Sequence, residues 1–275
     1  MMSERSQPEM LQIDAHTRLR RSWAAADPWA TMLIVHGLGE HSGRYERTGG
    51  LLAAEGISVS SFDLIGHGAS EGHRGHVDRF SDFLDEVEWE LAASRQQDLP
   101  AVLYGHSLGG LIALDYLTSH RPHPDFAIAS APALGGGKAW QRALAGPLGR
   151  FLPRVSIPTE ISAEQLSRDP AVGEDYFADP LVLTKATTRL GSELFAAGDR
   201  VRANLASLSV PTLVIHGGAD ELVPPAMSAS VADHPRVERR LYPKLRHESH
   251  NEPEGPEVVA DMIAWLKGSI AAQGV

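Results

Sequence analysis

Residues 101–119 read AVLYGHSLGGLIALDYLTS: an apolar run reaches a glycine, then a serine, then a second glycine, and a stretch of helical character follows. A chain that passes from strand to helix through Gly105-His106-Ser107-Leu108-Gly109 has few ways to do so. The turn is so tight that a side chain at either flanking position would strike neighbouring backbone, which accounts for the two glycines. Ser107 is forced into a strained conformation, tolerated only where the fold over-determines it. Its hydroxyl is thereby pushed out above a sheet, at the N-terminus of the next helix. The unpaired N–H groups and partial positive charge there favour a developing oxyanion. The bland alternative is a chance pair of glycines at a strand end. A serine hydroxyl is a weak nucleophile, so the rest of the chain must supply a base and a group that orients it.

Strand-like and helix-like stretches alternate on both sides of this turn. TMLIVHG (31–37), ISVSSFDL (57–64), AVLYG (101–105), FAIASAPA (126–133), TLVIHG (212–217) and ERRLYP (238–243) read as strands. Residues 43–55, 80–94 and 108–119, and stretches near 225–233 and 256–267, read as helices. In the second of these, Phe80, Phe83, Leu84, Val87 and Leu91 recur at a helical period. The alternation predicts an α/β fold, a mostly parallel central sheet with helices on both faces. The run around 10–24 predicts an antiparallel edge hairpin. From about Leu134 to Leu208 no clean strand is visible. That region opens with Gly135-Gly136-Gly137, read as a hinge, and holds Pro147, Pro153, Pro158, Pro170 and Pro180. It predicts a helical cap inserted over the sheet, so the expected domains are a core of residues 1–133 and 209–275 and a cap of residues 134–208.

Composition narrows the function classes. The chain has 275 residues, 43% hydrophobic and 22% charged, which suits a soluble globular protein with a sizeable core. It has no cysteine, so neither disulfides nor thiol catalysis enter. A net charge of −10 argues against a nucleic-acid partner and mildly favours a neutral substrate. MMSERSQPEM has no apolar core of a signal peptide, and no stretch approaches the roughly 20 apolar residues of a membrane span. The expected location is cytoplasmic.

The partners of the serine should follow in the order acid, then histidine, each on a loop after a later strand. Asp220 lies just beyond TLVIHG; Glu221 is its rival, but one residue further on it should point elsewhere. KLRHESHNEPE follows ERRLYP and offers His247 and His250, of which His247 is nearer the strand end. A zinc-protease helix needs H-E-x-x-H; in HESH the histidines are only three apart, with Pro253 and Pro256 close behind. The oxyanion requires two backbone N–H groups. Leu108, after the serine, gives one; Leu38, in His36-Gly37-Leu38-Gly39, gives the other.

Together HGLGEHSGRY (36–45), FDLIGHGASEGHRGHV (62–77), YGHSLGG (104–110), PTLVIHGGADELVPP (211–225) and LYPKLRHESHNEPE (241–254) resemble the monoacylglycerol lipase family of α/β-hydrolases. The resemblance covers essentially the whole chain outside the cap. It implies an α/β-hydrolase fold with Ser107, Asp220 and His247 as catalytic triad and Leu38 and Leu108 as oxyanion amides. It also implies a cap lining a tunnel for one acyl chain. SRDP (167–170) and YFADPLV (176–182) are similar to bacterial members. The expected reaction is hydrolysis of the carboxylic ester of a neutral single-chain lipid, foremost monoacylglycerol, through an acyl-enzyme, without cofactor or metal. A general carboxylesterase, a lysophospholipase or an aminopeptidase-like enzyme on the same triad, and a non-catalytic ligand-binding homologue, stand as alternatives.

Three further features are open in the sequence. Glu40 and Arg44 either bind the polar head of a substrate or pair with each other one turn apart. Asp63, His67, His73 and His76 match no metal-ligand spacing and read as a loop after a strand, with Gly66 and Gly68 for a tight turn. KAWQRALAGPLGRFLPR (138–154) carries an apolar stripe of Trp140, Leu144, Leu148, Phe151 and Leu152 beside Lys138, Arg142, Arg150 and Arg154, with no acid among them. Such a stretch suits transient contact with a lipid or micelle surface, peripheral at membranes, or a cap helix packed on the domain below.

Overall fold

The computed structural model describes residues 6–13, 16–95, 99–135 and 139–273. In chain order, β1 (Gln7–Ile13) and β2 (His16–Trp23) form a hairpin, followed by β3 (Ala30–Val35), α1 (Glu46–Ala54), β4 (Ile57–Phe62), α2 (Phe80–Ser94), β5 (Ala101–His106), α3 (Leu108–Leu117) and β6 (Phe126–Ser130). An excursion then runs through α4 (Ala139–Phe151), β7 (Ser156–Pro158), α5 (Ala163–Leu166), α6 (Pro170–Ala178), β8 (Lys185–Thr187) and α7 (Thr188–Asn204). The chain returns with β9 (Thr212–Gly217), α8 (Ala226–Ala229), β10 (Val237–Tyr242) and α9 (Gly255–Gln273).

Among the described residues the main sheet has eight strands in the order β1-β2-β4-β3-β5-β6-β9-β10. The first two pairings, β1 with β2 and β2 with β4, are antiparallel; the others are parallel. Alternation along the strands sends successive residues to opposite faces. On β3, Leu33 and Val35 join Phe83, Val87, Leu111, Leu114 and Val201 from α2, α3 and α7. Met32 and Ile34 join Leu52, Val259, Met262 and Leu266 from α1 and α9 on the other face. With both faces covered, β3 and β9 carry unbroken apolar runs, MLIV and LVI.

β3 lies between β4 and β5, so the direction of winding reverses there, and the crevice this opens is at the carboxyl ends of the strands. The loops after β3, β5, β9 and β10 all leave from that end.

Several boundaries differ from the sequence reading. Residues 43–55 begin as a one-turn 3-10 helix, Ser42–Tyr45, before α1. The strand read as 126–133 stops at Ser130, because Ala131 turns to φ 43° and Pro132 has no N–H for the ladder. The helix read near 225–233 shortens to α8. There the Ser230 hydroxyl donates to the Met227 carbonyl and competes with helical bonding. The helix near 256–267 runs on to Gln273. The excursion holds two three-residue strands, β7 and β8, paired antiparallel, where no strand is legible in the sequence. Gly136, Gly137 and Lys138, part of the expected hinge and basic stretch, lie outside the described residues. Among the described residues no helix is long and apolar enough to cross a membrane.

Candidate active site

Ser107 has φ 54° and ψ −113°, one of three non-glycine residues with positive φ among those described. The fold holds it there. Its N–H donates to Ser130 O at 2.9 Å, and its carbonyl accepts from Leu111 N–H and Ala133 N–H at 3.0 Å each. A Cβ on Gly105 would fall closer than 3.0 Å to the Gly109 carbonyl, and one on Gly109 equally close to that of Val35. Both obstacles are backbone and cannot rotate away. Gly109→Ala is therefore expected to cost about 2–3 kcal/mol, the usual penalty of overpacking, readable as a lowered urea midpoint. An unchanged midpoint would show that the elbow is looser than this geometry.

The loops after β9 and β10 bring the acid and imidazole together. His247 Nδ1 lies 2.7 Å from Asp220 Oδ2, both side chains being buried. Asp220 Oδ1 accepts from Leu222 N–H at 2.9 Å and Val223 N–H at 2.8 Å. Burial alone would raise the Asp220 pKa; hydrogen bonds from His216 and His247 overcome it and hold the carboxyl at about 2. Burial alone would lower that of His247; the Asp220 carboxylate reverses this and holds the imidazole above its ordinary range. Glu221, the rival acid, is exposed. His250, the rival base, is stacked on Tyr45 at 5.2 Å and meets His106 edge-on at 4.8 Å, and burial pushes its pKa down to about 4.

Sequence reasoning missed His216, the penultimate residue of β9. Its Nε2 faces two acceptors, Val223 O at 2.7 Å and Asp220 Oδ2 at 3.2 Å, so Nε2 carries the hydrogen. Its Nδ1 then accepts from the Ser228 hydroxyl at 2.8 Å, whose oxygen takes the Arg239 Nε–H at 2.9 Å. A histidine inside an apolar strand gives no signal of such a role. His106 is a second silent residue, its ring 4.7 Å from that of His247.

Leu38 and Leu108 both line the cavity that Ser107 faces. A Cβ built on Gly37 stands 3.2 Å from Ser107 Cβ, which places the loop after β3 against the elbow. Gly39 (φ 76°) accepts from Leu183 N–H of the excursion at 2.9 Å. Glu40 and Arg44 do pair, at 2.8 Å, but Arg44 also makes a two-pronged contact to Glu248 at 2.7 and 2.9 Å. Glu40 Oε2 accepts from Tyr45 Oη at 3.0 Å and Gly37 N–H at 3.2 Å. Burial, with the Glu248 charge adding to it, pushes Glu40 up to about 7; Arg44 overrides burial at Glu248 and brings it to about 2.

Ser107, His247, Leu38, Leu108 and Glu40 line one cavity of about 430 Å³. The excursion supplies most of the remaining wall, including Trp140, Leu144, Leu148, Leu194 and Phe195. The stripe of the basic stretch is thus divided. Trp140, Leu144 and Leu148 border the cavity, while Phe151 (75% exposed) and Leu152 face solvent. Packing on the domain below therefore does not account for the whole stripe. Arg142 pairs with Asp199 at 2.8 Å and lies over Phe195; Arg150 lies beside Phe151. Asp63 spends its carboxylate on Ser42 N–H and Oγ and on Ala69 N–H, His67 bonds Ile65 O, and His76 meets Thr187, with His73 against its ring.

Residues 26–254 match the Hydrolase_4 family, described as serine aminopeptidase, S33. The chain is 34% identical over 249 residues to a monoacylglycerol lipase of Mycolicibacterium smegmatis, covering 87% of this chain and 89% of that protein. A phospholipase of Bacillus subtilis is 33% identical over 247 residues, covering 86% and 95%. The crystal structure of Paleococcus ferrophilus monoacylglycerol lipase has a TM-score of 0.83 at 29% identity, covering 94% of this chain and 98% of that one.

Proposed function

The chain belongs to the monoacylglycerol lipase family of α/β-hydrolases, within Hydrolase_4, and from that premise we propose that it hydrolyses monoacylglycerol to fatty acid and glycerol. It is a carboxylic ester hydrolase acting on lipid esters. In the proposed mechanism Ser107 Oγ attacks the ester carbonyl while its proton passes to His247 Nε2. That nitrogen is free to accept because Nδ1–H donates to Asp220. The tetrahedral oxyanion is held by the Leu38 and Leu108 N–H groups, each worth about 3 kcal/mol in the transition state. The C–O bond to glycerol breaks as the imidazolium gives its proton to the leaving oxygen. Water, deprotonated by His247, then releases the fatty acid from Ser107.

Residues 134–208 act in this reading as the cap of a core made by residues 1–133 and 209–275. Leu144, Leu148, Leu194 and Phe195 receive the acyl chain. Glu40 meets the glycerol head at the cavity wall, with Arg44 behind it. Phe151 and Leu152, beside Arg150 and Arg154, make transient contact with the lipid surface from which the substrate is drawn. The observation that carries the proposal is the His247–Asp220 contact beside Ser107 on the wall of a cavity with an apolar lining.

A fluorophosphonate probe is expected to label Ser107, located by peptide mass spectrometry. Initial rates should favour monoacylglycerols over lysophospholipids, short nitrophenyl esters and aminoacyl anilides. Absence of the Ser107 adduct defeats the mechanism; a wide preference for short esters defeats the lipid substrate. The similarity to the Bacillus phospholipase makes lysophospholipid the second substrate class to rank.

A further inference from the structure

The Ser167-Arg168-Asp169-Pro170 stretch belongs to the cap, yet none of its residues lines the cavity. Its bonds run largely to the loop that carries His247. Glu252, fully buried, is the centre of these bonds. Its Oε1 accepts from the N–H of Arg246, the residue before His247, at 2.7 Å. Its Oε2 accepts from Arg168 N–H and Nε–H, both at 3.1 Å, and faces the Ser167 hydroxyl at 3.3 Å. One carboxylate therefore holds the cap with one oxygen and the neighbour of His247 with the other.

The backbone repeats the connection. Glu248 N–H donates to Leu166 O at 2.8 Å and His247 N–H to Gln165 O at 3.4 Å. Arg246 Nη1 donates to Ser167 O at 3.1 Å, and the Ser167 hydroxyl reaches Asn251 O at 3.2 Å. Residues 246, 247 and 248 thus all rest on cap groups, beyond the end of β10 at Tyr242, while Arg44 holds the Glu248 side chain from the core side. Asp220 orients the ring of His247; nothing in the Asp220 contact fixes the backbone that carries the ring.

We propose that residues 165–168, locked through Arg168 and Ser167 to Glu252, are a clamp that positions His247, so that the base is in register only while this corner of the cap is seated on the core. The inference rests on the proposed triad and assigns Arg168 and Ser167 as positioning residues. Displacing a reacting group by about 1 Å costs on the order of 100-fold in rate.

The test uses the full chain, a short soluble nitrophenyl ester that does not need the acyl tunnel, and the fluorophosphonate probe. Arg168→Ala is expected to lower kcat and the labelling rate of Ser107 by about 10- to 100-fold, with KM within about threefold of the parent. Arg168→Lys, which keeps one donor toward Glu252, should recover part of the rate. If Arg168→Ala does not fold, Ser167→Ala is the readout, with a severalfold loss of kcat expected. Wild-type kcat in the folded variant, even with a lower melting temperature, overturns the clamp and leaves the triad standing. A parent enzyme that takes no label at Ser107 overturns the triad, and the clamp with it.

Discussion

Asp220→Asn is expected to lower kcat about 10,000-fold while the protein remains folded, the size of loss found when a triad acid is replaced by its amide. The surroundings dictate the direction the amide takes. Leu222 and Val223 N–H groups aim at Oδ1, so the amide oxygen must occupy that position. The NH₂ group then stands where Oδ2 was, facing both His247 Nδ1 and the Nε2–H of His216. Facing a donor, His247 Nδ1 must become an acceptor, and its hydrogen moves to Nε2. That nitrogen can no longer take the Ser107 proton. The pH profile gives an independent check. Wild-type activity should fall as pH drops through a His247 pKa that Asp220 keeps above the ordinary 6.5. Without the carboxylate, burial is opposed only by the weaker pull of the Glu248 and Glu40 charges, and the acid limb should move to lower pH. A variant with kcat within tenfold of wild type, or with an unmoved limb, would overturn Asp220 as the orienting acid.

The order of the elements and the identity of the triad candidates were legible because backbone geometry and strand ends impose them. Gly105 and Gly109 have carbonyls in the way of any side chain, and Asp220 and His247 stand at consecutive strand ends. What could not be read depends on contacts far apart in sequence. Glu248 lies 204 residues from Arg44, and Arg168 lies 84 from Glu252. No local period or spacing reports such pairs. The same holds for His216, which looks like a core residue of β9 until Asp220 is placed beside it. Boundaries failed where side chains compete with the backbone, as Ser230 does at the end of α8. The excursion between β6 and β9 was legible as a break in alternation, but its two short strands were too brief for any pattern.

Arg44→Met is expected to destabilise the protein by about 3–5 kcal/mol at pH 7, the usual cost of leaving a buried charge without its partner, or a melting temperature about 10 °C lower. Arg44 is the cation between Glu40 and Glu248, and it also lies over the Tyr176 ring at 4.7 Å. Its two-pronged contact makes Glu248 the true counter-charge. Glu40, its pKa pushed up by burial and by the neighbouring Glu248 charge, carries the lesser share of the counter-charge. In the wild type the Glu248 pKa of about 2 lies below its unfolded value near 4.5, so its contribution is full above pH 4.5 and is lost as pH falls toward 2. Without Arg44 the sign reverses. Burial raises the Glu248 pKa above the unfolded value, and stability is then lost as pH rises. The gap between variant and wild type should accordingly narrow from pH 7 to pH 5. Adding Glu248→Gln to Arg44→Met should recover much of the loss, since the amide keeps the volume and removes the stranded charge. Thermal unfolding of the four proteins of this cycle at both pH values decides the matter. A single variant as stable as wild type, or a double variant no better than Arg44→Met, would show that Arg44 does not hold this part of the site together by charge.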